Sequence, residues 1–404
     1  MNDLIKLDLK SFSERLAQYR KSAGKTQEQV AEHLGMSRPT YIALEKATRP
    51  PTSSDLIKLG EFLNRTLHDL VRPGLPVKLE PHLRAGVDPT GKDAGELQSA
   101  IHALQEFAED YRELERILGA QLATNYPSEV QLPHRGNLGD FAEGVATRER
   151  ARLQLGDQPV TNLREILESE VGIRIFFGGL PSRVAGLYAF VAELGCCMMI
   201  NSRHPRERQH ASLAHEYGHV IVDRHKPGID YLSHEGRKPA NERFVESFAM
   251  AFLMPATGVR RHFQDAYNAT GDFQVGDLVR LSSLYAVSVQ AMALRLENLG
   301  LLTKGTWDFL VEQGFKANTA RRELNQNDRP SGHEPAYPER YKLLAVHAYL
   351  RAKITENQLM HFLRCDRIEA REVVAECRQS VEVNADGKQE VLELPFERSL
   401  VGSR

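Results

Sequence analysis

The 404-residue chain lacks the features that mark secreted, membrane-spanning and disulfide-linked proteins. Its four cysteines (Cys196, Cys197, Cys365 and Cys377) include no C-x-x-C pair, and the first two lie side by side in an apolar run typical of a buried strand. No apolar run approaches the roughly 20 residues that a membrane-spanning helix needs, and no signal peptide opens the sequence. We therefore expect a protein of the reducing cytoplasm with no membrane partner.

The chain also lacks an excess of charge of either sign. Lys and Arg number 52 against 54 Asp and Glu, a formal net charge of −2, so any contact with nucleic acid must come from a local surface. Internal repeats, a Gly-rich phosphate loop and a Ser/His/Asp motif are all missing from the sequence. The length predicts two or three domains, and 41% hydrophobic with 26% charged residues is ordinary for globular proteins.

What the sequence does contain is the metal-ligand pattern H-E-x-x-H at residues 215–219. Apolar residues at four-residue steps predict a helix over 205–222, on which His215 and His219 lie one turn apart on one face. That spacing suits two Zn–N bonds of about 2.0–2.1 Å. Glu216, next to the first histidine, is the candidate general base that takes a proton from the attacking water.

A glycine lies within this predicted helix, between its two candidate ligands. Gly218 lowers helix propensity by about 1 kcal/mol relative to alanine. Its presence indicates that another element packs close to the backbone at this point.

A third zinc ligand is needed, and the sequence offers two sources. His225 has the spacing of the metzincin pattern H-E-x-x-H-x-x-G-x-x-H, but Val222 occupies the position where that pattern has glycine. A β-branched residue is poorly suited to the turn that would bring the third histidine back. The other source is a predicted amphipathic helix over 241–254, ended by Pro255, which carries Glu242.

Two glutamates of this second helix lie four residues apart on one face, Glu242 and Glu246. One can bind zinc while the other accepts a hydrogen bond from a ligand histidine and so fixes its orientation. We favour Glu242 as the ligand, which completes a His₂Glu set, and Glu246 as the hydrogen-bond acceptor. The reversed assignment stays open.

The segment R-Q-H-A-S-L-A-H-E-Y-G-H at 208–219, followed by E-R-F-V-E-S-F-A-M-A-F-L-M-P at 242–255, resembles the ImmA/IrrE family of zinc metallopeptidases. The likeness covers about residues 150–300. Val245 and Glu246 depart from the family's Ala and Asn/Asp. The resemblance implies a zinc endopeptidase with a water at the open fourth position. Its substrate would be a repressor or other regulatory protein, cut in a stress, phage or mobile-element response.

Residues 11–70 form a run of short predicted helices with capping residues at their starts and a Gly turn between the second and third. This layout resembles the Xre/Cro family of helix-turn-helix regulators, with its pattern T-Q-x-x-V-A-x-x-L-G-x-S. The resemblance implies that Gln27 contacts a phosphate. It also implies that four residues face the major groove: Ser37, Arg38, Thr40 and Tyr41. Residues 1–72 hold twelve Lys and Arg against nine Asp and Glu, a local field of the right sign for operator DNA.

These signals predict a multidomain, mainly α protein: an all-α, lambda-repressor-like domain at the N-terminus and an α+β zinc-peptidase core. Strands are predicted at 171–177, 186–192 and 196–200, forming a small, antiparallel sheet beside the metal helix. The expected segments are a helix-turn-helix domain at 1–72, a linker and helix at 73–130, the peptidase domain at 131–300 and a helical domain at 301–404. The last of these ends in a hairpin signalled by Asp386-Gly387.

The leading interpretation is a DNA-binding transcriptional regulator with a zinc-dependent endopeptidase domain. A homodimer on a pseudo-palindromic operator is the arrangement that such DNA-binding domains favour. The alternative is a one-component transcription factor whose zinc domain senses a ligand or partner without proteolysis. A third reading, an antitoxin-like binding protein, would retain the same zinc ligands.

Overall fold

In a computed structural model, the protein is described over residues 8–63, 65–72, 93–225, 228–231, 239–323, 335–383 and 389–393. The chain divides into two compact units, residues 1–78 and 79–404. Helices dominate both, and the second unit also holds two small sheets, so the predicted fold class is confirmed. Within the described residues, no helix is both long and apolar enough to cross a membrane.

The first unit is a bundle of short helices whose ends follow the capping signals of the sequence. The Thr26 side chain accepts a hydrogen bond from the backbone N–H of Gln29, and Gly35, in the left-handed region at φ 70°, ends the same helix. Ser37 caps the next helix by accepting from Thr40. The helices are α1 Leu9–Ser22, α2 Gln27–Leu34, α3 Arg38–Glu45, α4 Ser53–Leu63 and α5 Leu67–Val71.

The second unit opens with a long helix and continues through the sheet and the two helices that carry His215, His219 and Glu242. Its helices up to the predicted end of the peptidase domain are α6 Ala94–Leu118, α7 Leu138–Arg152, α8 Leu163–Ile166, α9 Arg206–Val222, α10 Ala240–Leu253, α11 Ala256–Thr270, α12 Val275–Leu284 and α13 Val289–Asn298. A π-helical turn, Leu167–Val171, follows α8. The strands are β1 Arg174–Gly178, β2 Val184–Val191, β3 Gly195–Asn201 and β4 Gly228–Tyr231.

The remaining described elements are α14 Thr306–Glu312, α15 Ala317–Glu323, α16 Glu339–Leu350, α17 Glu356–Leu363, α18 Arg367–Arg378 and a hairpin of β5 Gln379–Val383 with β6 Gln389–Glu393. Helices α17 and α18 are separated by a short turn. Arg364 takes the left-handed conformation at φ 51°, and the Asp366 side chain accepts the N–H groups that start α18. Asp386-Gly387, the predicted hairpin turn, lies outside the described residues.

The main sheet is mixed, which corrects the predicted antiparallel arrangement. The strand order is β1-β3-β2-β4, with β1 parallel to β3 and the other pairs antiparallel. The chain reverses direction from β1 to β2 and again from β2 to β3, and β3 lies between the other two, so β1 and β3 are neighbours that run the same way. The outer edge of β1 is covered where the Phe177 N–H donates to the carbonyl of Ala336. Strand β4 was not predicted.

Helices α7, α9 and α10 pack together on one side of this sheet, and the close approach expected at Gly218 is present. A Cβ atom placed on Gly218 would lie 2.9 Å from Cγ1 of Val245 and 3.2 Å from Cδ1 of Phe248, both on α10. The glycine therefore allows α10 to lie against the backbone of α9 midway between the two histidines.

Candidate functional site

The candidate metal centre is formed where α9 faces the first turn of α10. His215 and His219 lie one turn apart on α9, and their Nε2 atoms are 3.2 Å apart. Glu242, on α10, places Oε2 3.6 Å from each of those nitrogens. His219 and Glu242 are buried, whereas the side chain of His215 is 14% exposed. The centre is therefore reached from the His215 side.

These three atoms fit a zinc ion. Ligand atoms about 2.0–2.1 Å from zinc and at tetrahedral angles lie about 3.3 Å from one another. The observed separations of 3.2, 3.6 and 3.6 Å bracket that value. Two imidazoles and one carboxylate leave one tetrahedral position for water or substrate, as in catalytic zinc sites.

The other candidates for the third zinc ligand, His225 and Glu246, lie outside the group formed by His215, His219 and Glu242. His225 is exposed and lies edge-on to the ring of Phe190, with centroids 4.9 Å apart. It is absent from the group of possible metal ligands found among the described residues, which consists of His215, His219 and Glu242. Glu246 is exposed one turn beyond Glu242, and its predicted hydrogen-bonding role stays a prediction.

Glu216, the candidate general base, is 1% exposed and lies between α9 and the sheet. Opposite it is Gly186 on β2. A Cβ atom at residue 186 would lie 2.9 Å from Oε1 and 3.2 Å from Cγ of Glu216. The glycine leaves the space that the carboxylate occupies. Sequence analysis did not single out Gly186, although a glycine inside a strand often marks such a close approach.

Three further residues, which sequence analysis did not identify, connect the two helices that carry the candidate ligands. The ring of Tyr188 lies parallel to that of His219, with centroids 5.9 Å apart and planes 6° apart. Its hydroxyl donates to the backbone carbonyl of Asp223 at 2.6 Å, and the Asn241 amide donates to Asp223 Oδ2 at 2.5 Å. Asp223, just after α9, is thus joined to both β2 and the start of α10. No spacing in the sequence links these three residues.

The opposite face of α9 is fixed to α7. The Tyr217 hydroxyl donates to the carboxylate of Glu149, which also forms an ion pair with Arg152 at 2.7 Å. Burial raises the pKa of the Tyr217 hydroxyl well above its ordinary value, and the neighbouring Glu149 charge adds to the shift. The hydroxyl therefore stays protonated and keeps donating across the physiological pH range.

A cleft of about 670 Å³ adjoins the metal centre, and His215 lines it. Its other walls come from the first half of α9, the outer face of α10, the start of α13, and α14 with α15. Most lining side chains are apolar, among them Met250, Leu253 and Trp307, while Arg208 and Glu246 add charge. The cleft gives the site room for a substrate or ligand.

The DNA contacts predicted for the first unit are arranged around the start of α3. Ser37 and Arg38 are exposed, and Thr40 is half-buried with its hydroxyl 2.8 Å from that of Ser37. Tyr41 is fully buried, so its predicted place in the major groove is wrong. It lies on the inner face of α3, where it packs in the core with Leu44.

Tyr41 instead belongs to a polar group centred on Glu45. The Glu45 carboxylate accepts from the Arg20 guanidinium at 2.6 Å, the Tyr41 hydroxyl at 2.8 Å and the Gln27 amide at 2.8 Å. Burial works to raise the pKa of Glu45, but these hydrogen bonds hold it below its ordinary value. Gln27, whose predicted phosphate contact stays a prediction, is therefore held at the start of α2 by Glu45.

Comparison with known proteins identifies two regions of the chain. The family described as the IrrE N-terminal-like domain, a peptidase family, matches residues 168–297. The helix-turn-helix family matches residues 16–70. The first match spans the sheet, α9 and α10, and the second spans most of the first unit.

Two curated relatives are similar over a short stretch. An uncharacterized HTH-type transcriptional regulator of Bacillus subtilis, YqaE, is 38% identical over 61 residues, which are 15% of this chain and 53% of the relative. The CTXphi transcriptional repressor RstR of Vibrio cholerae is 37% identical over 59 residues, with the same coverage of 15% and 53%. The chain thus spans about half the length of the curated relatives it matches.

Two solved structures are also similar at low identity: ComR from Streptococcus suis, over 93% of each chain, and the PrgX/iCF10 complex, over 91% of this chain and 97% of that one. Both are 13% identical with a TM-score of 0.15, which is too low to support an argument. The family matches, taken with the geometry above, show that the chain joins a helix-turn-helix domain of the Xre type to a metallopeptidase-family domain of the IrrE/ImmA type.

Proposed function

We propose that the protein is a cytoplasmic, DNA-binding transcriptional regulator that also acts as a zinc-dependent endopeptidase on a repressor or other regulatory protein. The observation that carries the proposal is the set of three donor atoms, 3.2–3.6 Å apart, beside the buried carboxylate of Glu216. This is the donor set of catalytic zinc sites together with a candidate base. The family match over residues 168–297 supports the same chemistry.

In this mechanism His215, His219 and Glu242 would hold Zn²⁺, which when bound would lower the pKa of water and polarise a peptide carbonyl. Glu216 accepts the proton of the attacking water and passes it to the leaving amide nitrogen. Tyr188 and Asp223 keep His219 and the two ligand helices in position. The cleft at His215 admits the polypeptide.

The regulatory half of the proposal rests on the first unit. Ser37 and Arg38 stand exposed at the N-terminal end of α3, the second helix of the helix-turn-helix pair and the part that enters the major groove in such proteins. The similarity to a transcriptional repressor and to a second transcriptional regulator supports operator binding by this unit. Binding as a homodimer would match the pseudo-palindromic operators of such domains.

The test separates chemistry from metal binding. Glu216→Gln preserves size and leaves the three ligands intact, so zinc content should stay near that of the wild type. New protein N-termini produced in a cell lysate, counted by mass spectrometry, should fall at least a hundredfold. Glu170→Gln, an exposed residue away from the site, is the matched control. Equal cleavage by the wild type and Glu216→Gln would exclude Glu216 as the base.

A second candidate function is supported by the cleft. About 670 Å³ with a mostly apolar lining is the size of a small-molecule site, which fits a transcription factor that senses a ligand without proteolysis. Cells that carry Glu216→Gln distinguish the two functions. If their target genes respond as in the wild type, proteolysis is dispensable and the sensing function is correct.

A further inference from the structure

We infer that the cleft beside His215 is a specificity pocket for one large apolar side chain of an extended peptide, and that α14 and α15 supply its outer wall. The inference rests on the proposed function and names the substrate chemistry that this site selects. The matched family region ends at residue 297, whereas α14 and α15 span Thr306–Glu312 and Ala317–Glu323. The selecting wall is therefore an addition to the matched domain.

The cleft is continuous with the metal centre because His215 belongs to both. Arg208, Ala211 and His215 line it from one face of α9. With a rise of 1.5 Å per residue, Arg208 lies about 10 Å along the helix from His215. An extended peptide covers that distance in about three residues. A peptide that reaches the metal centre through the cleft therefore places its neighbouring side chains between α9 and the opposite wall.

That opposite wall is fixed by specific contacts. The Glu297 carboxylate accepts the backbone N–H groups of Gly305 at 3.1 Å and Trp307 at 2.8 Å, which sets the start of α14. The Trp307 ring meets that of Phe315 edge-on, with centroids 6.2 Å apart. This arrangement presents a half-buried indole to the cleft.

Helix α15 is fixed to α9 by Arg321. Its guanidinium forms an ion pair with Glu207 of α9 at 2.8 Å and also donates to the carbonyl of Val287 at 3.4 Å. Both side chains of the ion pair are less than a fifth exposed. Because Glu207 and Arg321 satisfy each other, neither supplies a net charge to the cleft.

The lining then determines the occupant. Apart from Glu246, the α10 residues on the floor of the cleft are apolar and include Met250 and Leu253, and the thioether of methionine adapts to side chains of different shape. Arg208 is exposed in the cleft and has no ion pair among the described residues. An apolar side chain with a carboxylate about three residues away therefore complements this surface. The volume suits a short extended segment and excludes a folded domain.

The chain provides its own probe of the cleft, because Trp307 is its only tryptophan. Its fluorescence reports occupancy without turnover, so the measurement uses the full-length Glu216→Gln protein loaded with zinc. The titrated peptides are pools of end-capped hexapeptides. Each pool carries Leu or Ser at position 2 and Asp or Asn at position 5, and a second set of pools has these two positions exchanged. The Leu pools should shift the emission at about tenfold lower concentration than the Ser pools, and Asp should favour binding over Asn.

Substitutions in the Glu216→Gln protein test which residues cause the preference for Leu and for Asp. Adding Met250→Ser should reduce the Leu-to-Ser preference to within about twofold, whereas Leu294→Ser, on the exposed side of α13, should leave it unchanged. Arg208→Glu should reverse the Asp preference, and Arg148→Glu, exposed on α7, should not. Equal binding of the Leu and Ser pools, or no emission change with any pool, overturns the pocket. Selective binding without any cleavage by the wild-type protein leaves the pocket intact and rejects the peptidase function.

Discussion

Two glycines determine how closely neighbouring elements approach the metal centre. Gly218 admits Val245 and Phe248 of α10 against α9, and Gly186 leaves room for the carboxylate of Glu216 beneath β2. Both glycines act through the side chain that they lack. The position of Glu242 depends on the first contact and that of Glu216 on the second.

Replacing Gly186 by alanine should impair catalysis and spare the metal. The added Cβ would lie 2.9 Å from Oε1 of Glu216, so the carboxylate must move, while no ligand is touched. Misplacing a catalytic group by about 1 Å can lower the rate on the order of a hundredfold. We expect unchanged zinc content with a loss of that order in cleavage of a lysate. Gly95→Ala, where the added atom meets open space, is the control. Full activity of the Gly186 variant would show that Glu216 can shift without consequence.

The ligand assignment predicts which substitutions release zinc. His219→Ala or Glu242→Ala removes one of three donors and should lower metal content, measured by elemental analysis after dialysis, from about one ion per chain to near zero. His225→Ala should retain the ion, because that ring lies against Phe190. Loss of zinc on replacing His225, with retention on replacing Glu242, would favour the metzincin alternative.

At the residue scale, helical spacing alone predicts that the candidate ligands His215 and His219 share one face of a helix, and the structure places their Nε2 atoms 3.2 Å apart. The prediction for Tyr41 fails because a recognition motif identifies a position in the helix without indicating whether its side chain faces the core or the solvent. Tyr188 and Asp223 could not be found either. Their contacts with the metal helices join residues from separate elements and leave no periodic signal.

Among the elements, α6 joins the sheet to the C-terminal helices through a buried carboxylate. Glu115, fully buried, accepts from Arg174 of β1 at 2.8 Å and from Arg340 of α16 at 3.1 Å. One turn earlier Tyr111 donates to Glu168 at 2.7 Å. The buried apolar face of this helix is therefore a packing surface within the chain, with charge pairs along its edge.

Removing that carboxylate should destabilise the second unit strongly. Glu115→Ala leaves the buried Arg174 without its partner, and breaking a buried ion pair in this way costs about 3–5 kcal/mol. Urea unfolding of the full chain, followed by circular dichroism, should show a lower midpoint for the transition that includes α6. Glu129→Ala, at an exposed position, should change the free energy of unfolding by less than about 0.5 kcal/mol. A similar small change for Glu115→Ala would contradict the role assigned to the network.

The helices are predictable at this scale because caps and apolar periodicity are local. The pairing of strands is not, since every residue of β3 except its first is buried and the strand shows no polar face. Without alternation, nothing in the sequence distinguishes a parallel neighbour from an antiparallel one. Strand β4 is too short to give a signal of its own.

For the whole molecule, the domain types are predictable from two motifs, and the family matches confirm both. Their presence in one chain raises a question that neither domain answers alone. If the first unit binds an operator that the substrate repressor also occupies, the DNA brings the peptidase and its substrate together. Two partners held on one scaffold meet at a high effective concentration without any new contact between them.

This co-localisation predicts that operator DNA stimulates cleavage. With protein and repressor at nanomolar concentrations, a fragment carrying both binding sites should raise the cleavage rate at least tenfold, and added salt should abolish the gain because phosphate contacts weaken. Arg38→Ala, which replaces an exposed side chain at the start of α3, should weaken operator binding by roughly 1–3 kcal/mol if that side chain contacts a base edge. It should remove the stimulation and leave cleavage of the free repressor unchanged, because Arg38 belongs to the first unit and the metal centre to the second. Equal rates with and without the fragment, in both proteins, would leave the helix-turn-helix domain as a separate switch on its own gene.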